Sequence, residues 1–308
     1  MPKDFQQFAW NAAIEDDLRQ LVRLAVREDL DRHHDWTTVA LVAPDTQGRA
    51  AMAARQTGVI AGLAAMPVAI DEMRASIQFE PHVNDGDPVA AGAVIGELSG
   101  CARDLLTCER PLLNLVGRLS GIATLTSQYV DRVQGTAARV YDTRKTIPGW
   151  RRLEKYAVRC GGGCNHRTGL FDAILIKDNH LALAADDGLS PARAVGRVRE
   201  FANSLAADTV QNMLIEVEID RLEQLDDVLR AQPDIVLLDN MRPDDLRAAV
   251  ARRNQLAPTV ELEASGGVSL ETIREIALSG VERISAGALT HTVRWLDVAL
   301  DWIRLPSR

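Results

Sequence analysis

The rhythm of hydrophobic positions changes twice along the chain. In residues 5–30 the apolar positions Leu18, Leu21, Val22, Leu24, Ala25 and Leu30 recur at helical spacing. The polar stretch D-R-H-H-D-W-T-T then ends the predicted helix. From 39 to 100, short apolar runs are broken by Gly, Pro, Asn and Asp. They predict strands at 50–53, 59–61 and 77–81, two more within 84–100, and a helix over 61–76. A long helical pattern follows over 102–133, interrupted or kinked near Pro111.

Beyond Gly135 strands and helices alternate. The apolar runs predict strands at 138–141, 173–176, 213–219, 235–238, 259–262 and 283–286. Helical patterns fill the gaps at 151–159, 192–206, 221–231, 243–254 and 270–279. Strands this continuously apolar suit a parallel sheet buried on both faces. The expected fold class is therefore α/β: an incomplete or open α/β barrel of parallel strands plus an N-terminal α+β sandwich domain. A doubly wound open sheet is the alternative, but no G-x-G-x-x-G follows a first strand. Residues 292–303 read as a last helix. The expected division is a sandwich domain at 1–117, joined by a C-terminal helix at 291–308, and a barrel at 118–290.

The chain has 308 residues, enough for about two domains. Its 46% hydrophobic and 25% charged residues are those of an ordinary globular protein. No run approaches the ~20 apolar residues of a membrane helix, and the start, MPKDFQQFAW, lacks a signal pattern. The expected compartment is the cytoplasm, with no membrane partner. A net charge of -8 with few aromatics argues against a nucleic-acid partner.

Against that acidic background one stretch is basic. Between Thr143 and Thr168 stand Arg144, Lys145, Arg151, Arg152, Lys155, Arg159 and Arg167, opposed by Glu154 alone. Such a local reversal of sign points to an anionic ligand. The same stretch holds Gly161-Gly162-Gly163, where backbone N–H groups can approach a ligand closely. Cys160 and Cys164 flank these glycines and His166 is near. That spacing has no matching second pair, so an anion fits it better than zinc. His33 and His34 read as part of a solvated turn. Arg110 sits in apolar surroundings and calls for an anion or a carboxylate partner.

In an α/β barrel the chemistry gathers at the C-terminal strand ends. Here these ends are Thr143-Arg144-Lys145, Lys177-Asp178-Asn179-His180, Glu216 with Glu218 on one face, Asp239-Asn240, Glu263 with Ser265-Gly266-Gly267, and Ser285-Ala286-Gly287-Ala288. Arg and Lys suit a multiply charged anion. Glu218 and Asp239 suit ribose hydroxyls or a hydrated Mg²⁺. The glycine turns suit a phosphate. A phosphorylated sugar, a pyrophosphate and extra carboxylates would use the whole ring. Two further readings share these features: a Schiff-base aldolase using Lys177, and a non-catalytic phosphate-sugar binding protein.

The motifs D-T-R-K-T-I-P-G (142–149), E-K-Y-A-V-R-C-G-G-G-C-N-H-R (154–167), L-I-K-D-N-H (175–180), E-V-E (216–218), L-L-D-N (237–240), L-E-A-S-G-G-V (262–268) and S-A-G-A-L-T-H (285–291) resemble those of the quinolinate phosphoribosyltransferase family. The resemblance implies phosphoribosyl transfer from phosphoribosyl pyrophosphate to quinolinate with loss of CO₂, serving NAD biosynthesis. It implies that Arg110, Thr143, Arg144, Lys145, His166, Arg167 and Lys177 surround the substrates. Glu218 and Asp239 would serve the ribose and Mg²⁺, the expected cofactor, possibly through water. Ser265, Gly266, Gly267, Ala286, Gly287 and Ala288 would hold the 5-phosphate. Lys145, Lys177, Glu218 and Asp239 are the expected catalytic set. The resemblance also implies a homodimer or larger assembly, with Arg110 reaching into the neighbour's pocket. A nicotinate-specific or divergent relative would share the motifs. The segment 181–212 is longer than the resemblance leads one to expect.

Overall fold

The computed structural model describes residues 4–184, 188–205 and 213–303. In chain order the strands are β1 (Gln47–Ala54), β2 (Gly58–Val59), β3 (Ile77–Pro81), β4 (Pro88–Val89), β5 (Val94–Cys101), β6 (Arg139–Tyr141), β7 (Ile174–Ile176), β8 (Ile215–Ile219), β9 (Ile235–Asp239), β10 (Glu261–Ser265), β11 (Arg283–Ser285) and β12 (Val298–Trp302). The chain forms two compact units: residues 8–127, 146–162 and 289–308, and residues 1–7, 128–145 and 163–288. The 117/118 boundary expected from sequence falls inside one helix, Ala102–Val133.

The first unit carries an antiparallel sheet in the order β12-β1-β5-β3, with the small pair β2-β4 beside it. The first helix starts at Ala12, not at residue 5, because Asn11 caps it by accepting the N–H groups of Ala13 and Ile14. Its apolar stripe buries Ile14, Leu18 and Val22. The 61–76 helix is trimmed to Ala65–Glu72. The long helix continues through Pro111 and buries Leu105, Cys108, Leu112, Val116, Leu119 and Ala123, three or four residues apart. Within this unit Arg118 and Glu154 form a buried ion pair, and Arg118 also donates to the Thr290 carbonyl.

The C-terminal helix expected over 291–308 is not formed. Its described part contains the strand β12, antiparallel to β1 with Ala50 opposite Trp302 and Ala54 opposite Val298. Residues 304–308 lie outside the described residues. Gly117 and Gly121, one helical turn apart, explain the outcome. The Leu296 N–H donates to the Gly117 carbonyl at 2.9 Å. A Cβ on Gly121 would sit 3.0 Å from the Trp295 Cα. The missing side chains thus admit an extended backbone against the helix.

The second unit is a six-stranded, all-parallel sheet in the order β6-β11-β10-β9-β8-β7. That order is the chain order turned by one strand, as in a barrel, with β6 and β7 left as the two edges. Cys164 fills part of the β6 edge: its N–H donates to the Val140 carbonyl and its carbonyl accepts the Asp142 N–H. This is an open α/β barrel, as the apolar runs imply. Strand β8 spans 215–219, inside the predicted 213–219. The predicted 192–206 helix is observed as Pro191–Ser204. Parts of the long 181–212 segment, residues 185–187 and 206–212, lie outside the described residues.

Candidate active site

Side chains two apart on a strand share a face, so β6, β8, β10 and β11 each present polar groups in steps. The first step holds Arg139, Glu261 and Arg283. The Asp4 carboxylate accepts from Arg139 and Arg283, both at 2.9 Å, and from the Tyr141 hydroxyl at 3.1 Å. Glu261 pairs with both arginines as well. These charges satisfy one another and are structural.

Deeper in the sequence motifs, Glu216 and Glu263 are fully buried together with His166. His166 Nε2 lies 3.2 Å from Glu216 and 3.4 Å from Glu263. Its Nδ1 accepts the Arg167 N–H at 2.8 Å. Burial opposes a charged imidazole, but the two carboxylates outweigh it and raise its proton affinity. With Nδ1 accepting, the ring carries its proton on Nε2, facing the two carboxylates. Among the described residues these three alone bring three metal-capable atoms within 4.8 Å. Their distances are those of an ion-paired cluster. Phe5 stacks on the His166 ring, centroids 4.2 Å apart.

At the C-terminal strand ends the Lys177 ammonium meets Glu218 at 2.6 Å. Ser265 is the register partner of Asp239, and the Ser285 hydroxyl donates to the Ser265 hydroxyl at 3.0 Å. Asn240 donates its side-chain amide to Asp239 at 2.8 Å and its backbone N–H to the Ser265 carbonyl. Gly266 and Gly267 have φ of +91° and +59°, a turn that favours glycine. The Ala286 N–H donates to the Tyr141 carbonyl, tying the Ala286-Gly287-Ala288 turn to the end of β6. Thr143 accepts the Lys145 N–H through its hydroxyl at 3.0 Å. Burial, and then the neighbouring Arg144, hold Arg167 below the usual guanidinium range. That repulsion places two cations in one region.

Of the residues singled out from sequence, Lys177 pairs with Glu218 at the ends of β7 and β8, while Asp239, Ser265 and Gly266 gather around Asn240 at the ends of β9 and β10. Arg144 and Arg167 form the cationic part. Arg110 belongs to the other unit and is exposed, so the argument that a buried arginine needs an anion does not apply to it. The ring nitrogens of His166 face protein groups. The sequence assigns no role to Asp142, Phe5 or Gln7, and places Glu263 only among the polar strand ends. The signal for Glu263 was available: it stands two residues before Ser265, as Glu216 stands two before Glu218. Nothing in the sequence marks Phe5 or Gln7. A cavity of about 550 Å³ lined by Arg167, Leu175, His180, Leu181 and Arg197 lies along β7, but none of the site carboxylates lines it.

Glu218 and Asp239 offer hard oxygen ligands at adjacent strand ends, the donor set that a hydrated Mg²⁺ takes. Cys160 offers no alternative chemistry: burial, with Asp85 adding to it, pushes its thiol up to about 12.

Two domain families match the sequence: the quinolinate phosphoribosyl transferase N-terminal domain over residues 35–120 and its C-terminal domain over residues 122–301. The chain belongs to the quinolinate phosphoribosyltransferase family. It is 45% identical over 288 residues to the nicotinate-nucleotide pyrophosphorylase [carboxylating] of Mycobacterium leprae, covering 93% of this chain and 97% of the relative. It is 37% identical to quinolinate phosphoribosyltransferase [decarboxylating] 2b of Nicotiana tabacum, covering 92% and 82%. The nicotinate-nucleotide pyrophosphorylase structure from Francisella tularensis superposes with a TM-score of 0.86 at 35% identity, over 97% of this chain and all of that one.

Proposed function

We propose that this quinolinate phosphoribosyltransferase family member moves the phosphoribosyl group of phosphoribosyl pyrophosphate onto the ring nitrogen of quinolinate, with loss of CO₂. The observation that supports this is the ion pair of Lys177 and Glu218 at the strand ends, on a sheet whose next strands bring Asp239 opposite Ser265. The C1–O bond to pyrophosphate breaks, and the electron pair leaves with pyrophosphate. The ring nitrogen forms the new C1–N bond. The resulting pyridinium draws electrons from the adjacent carbon, so the carboxylate there departs as CO₂ and a proton takes its place. The products are nicotinate mononucleotide, pyrophosphate and CO₂.

Each group has a task in this reading. Arg144, Lys145 and Arg167 neutralise the two carboxylates. Glu218 and Asp239 face the positive charge that develops on the sugar. The turns at 265–267 and 286–288 receive the 5-phosphate on backbone N–H groups. Mg²⁺, held by Glu218 and Asp239 through water, would neutralise the departing pyrophosphate. His166 acts through Arg167, whose N–H it accepts. Arg110, exposed on its helix, would complete the pocket of a second copy. The reaction belongs in the cytoplasm; among the described residues no helix is long and apolar enough to cross a membrane.

The aldolase reading fares worse. A Schiff base needs a free amine, whereas the Lys177 amine is engaged by Glu218 at 2.6 Å. The purified protein, given phosphoribosyl pyrophosphate, Mg²⁺ and quinolinate, should release CO₂ and form nicotinate mononucleotide. Formation of that product from nicotinate but not from quinolinate would overturn the substrate assignment.

A further inference from the structure

The segment Asp4–Gln7 precedes the first helix, yet its side chains belong to the barrel unit. Phe5 is buried there, with the Arg283 guanidinium 5.4 Å from its ring centroid. Asp4 is anchored by Arg139, Arg283 and Tyr141. Gln7 is the unusual member. Its Nε2 donates to the Asn165 carbonyl at 3.0 Å, and its Oε1 accepts the Asn165 N–H at 2.8 Å. One side chain thus makes the two bonds that a neighbouring strand would make.

We infer that Phe5 and Gln7 are positioning residues, which fix the Asn165-His166-Arg167 turn so that Arg167 meets the diacid. The turn is held from two directions. On one side the Asp142 carboxylate accepts the Asn165 side-chain amide at 2.7 Å and the His166 N–H at 2.9 Å. On the other, Gln7 holds the Asn165 backbone and Phe5 stacks on His166 at 4.2 Å, 28° between planes. His166 passes the constraint on by accepting the Arg167 N–H. Asn165, His166 and Arg167 are all buried, so a turn released on one side has no water to replace what it loses. A group that must be within tenths of an ångström of its partner loses most from such release.

This rests on the proposed reaction, because it assigns Arg167 to quinolinate. Gln7→Ala removes both bonds to Asn165. The KM for quinolinate should rise about tenfold, equal to about 1.4 kcal/mol, while the KM for phosphoribosyl pyrophosphate stays within about twofold. Amide hydrogen exchange at Asn165, His166 and Arg167 should speed up in the same protein. Gln7→Glu keeps the acceptor for the Asn165 N–H and should fall between Gln7→Ala and the parent. Phe5→Leu preserves burial but not ring stacking, and should move the same KM by a smaller factor. Unchanged exchange at 165–167 in Gln7→Ala would overturn the inference, as would an equal rise in both KM values. The exchange measurement needs no substrate. If it succeeds in a protein that makes no nicotinate mononucleotide, the reaction assignment fails and the positioning role stands.

Discussion

Replacing Gly266 by alanine tests the turn at the end of β10 with an internal control next to it. A Cβ at Gly266 would lie 2.5 Å from Asn240 Cγ and 2.9 Å from its Nδ2, and closer still to its Oδ1. It would also hold alanine at φ +91°. The backbone term costs about 1–2 kcal/mol. Relieving the clash means swinging Asn240 away, which breaks its 2.8 Å hydrogen bond to Asp239; in this exposed setting that adds about 1 kcal/mol. The sum is about 2–3 kcal/mol, or a fall of about 4–12 °C in Tm for a unit of this size. Gly267 has φ +59° and nothing within 4 Å of an added Cβ, so Gly267→Ala should cost only about 1 kcal/mol. The assay is thermal unfolding of both variants, paired with the KM for phosphoribosyl pyrophosphate. Gly266→Ala should be the worse in both, because Asp239 loses its orienting partner as well. Equal losses in the two variants, or a larger loss at Gly267, would refute the steric argument.

Other expectations follow from the same contacts. Glu218→Gln keeps the shape but removes the partner of Lys177, and should lower kcat by about 10²–10³ without lowering Tm; normal turnover would remove Glu218 from the chemistry. Arg118→Ala leaves Glu154 buried without its guanidinium, a loss of about 3–5 kcal/mol in denaturant unfolding, and Arg118→Met/Glu154→Leu should recover much of it. Burial pushes the Cys108 and Cys160 thiols up from 9.0 to about 12. Alkylation of the native protein at pH 8 should therefore run about a thousandfold slower than at a free thiol. A raised folded value adds stability that is whole below about pH 9 and lost as pH climbs towards 12. Unfolding titrations should show that decline across this window, and flat stability there would contradict it.

The barrel was legible because its strands are short, apolar and regularly spaced, and the polar residues at their ends stand out against them. Five of the six parallel strands lie within two residues of the predicted runs, and β10, predicted at 259–262, runs three residues further, to Ser265. The C-terminal strand was misread because 292–303 fits two periods. Trp295, Leu296 and Val298 suit a helix, while Leu296, Val298, Leu300 and Trp302 alternate. The space beside Gly117 and Gly121 decides between them, and that is a tertiary fact. Residues 5–10 were drawn into the first helix for a related reason: Phe5 and Phe8 extend an apolar pattern that Asn11 interrupts by capping. The acids Glu218 and Asp239 could be picked out from their place at the ends of predicted strands, Glu218 in E-V-E and Asp239 beside Asn240. Glu216 and Glu263 sit two residues further in, and only their burial around His166 gives them a role.

The central claim is that cations from separate strand ends neutralise a diacid beside a phosphorylated sugar. A crystal structure of the protein with quinolinate and a non-hydrolysable phosphoribosyl pyrophosphate analogue tests it directly. Both carboxylates should lie within hydrogen-bond distance of the Arg144, Lys145 or Arg167 side chains, with the 5-phosphate on the N–H groups of 265–267 and 286–288. Quinolinate bound away from Arg144 and Arg167, or a phosphate remote from both turns, would contradict the account.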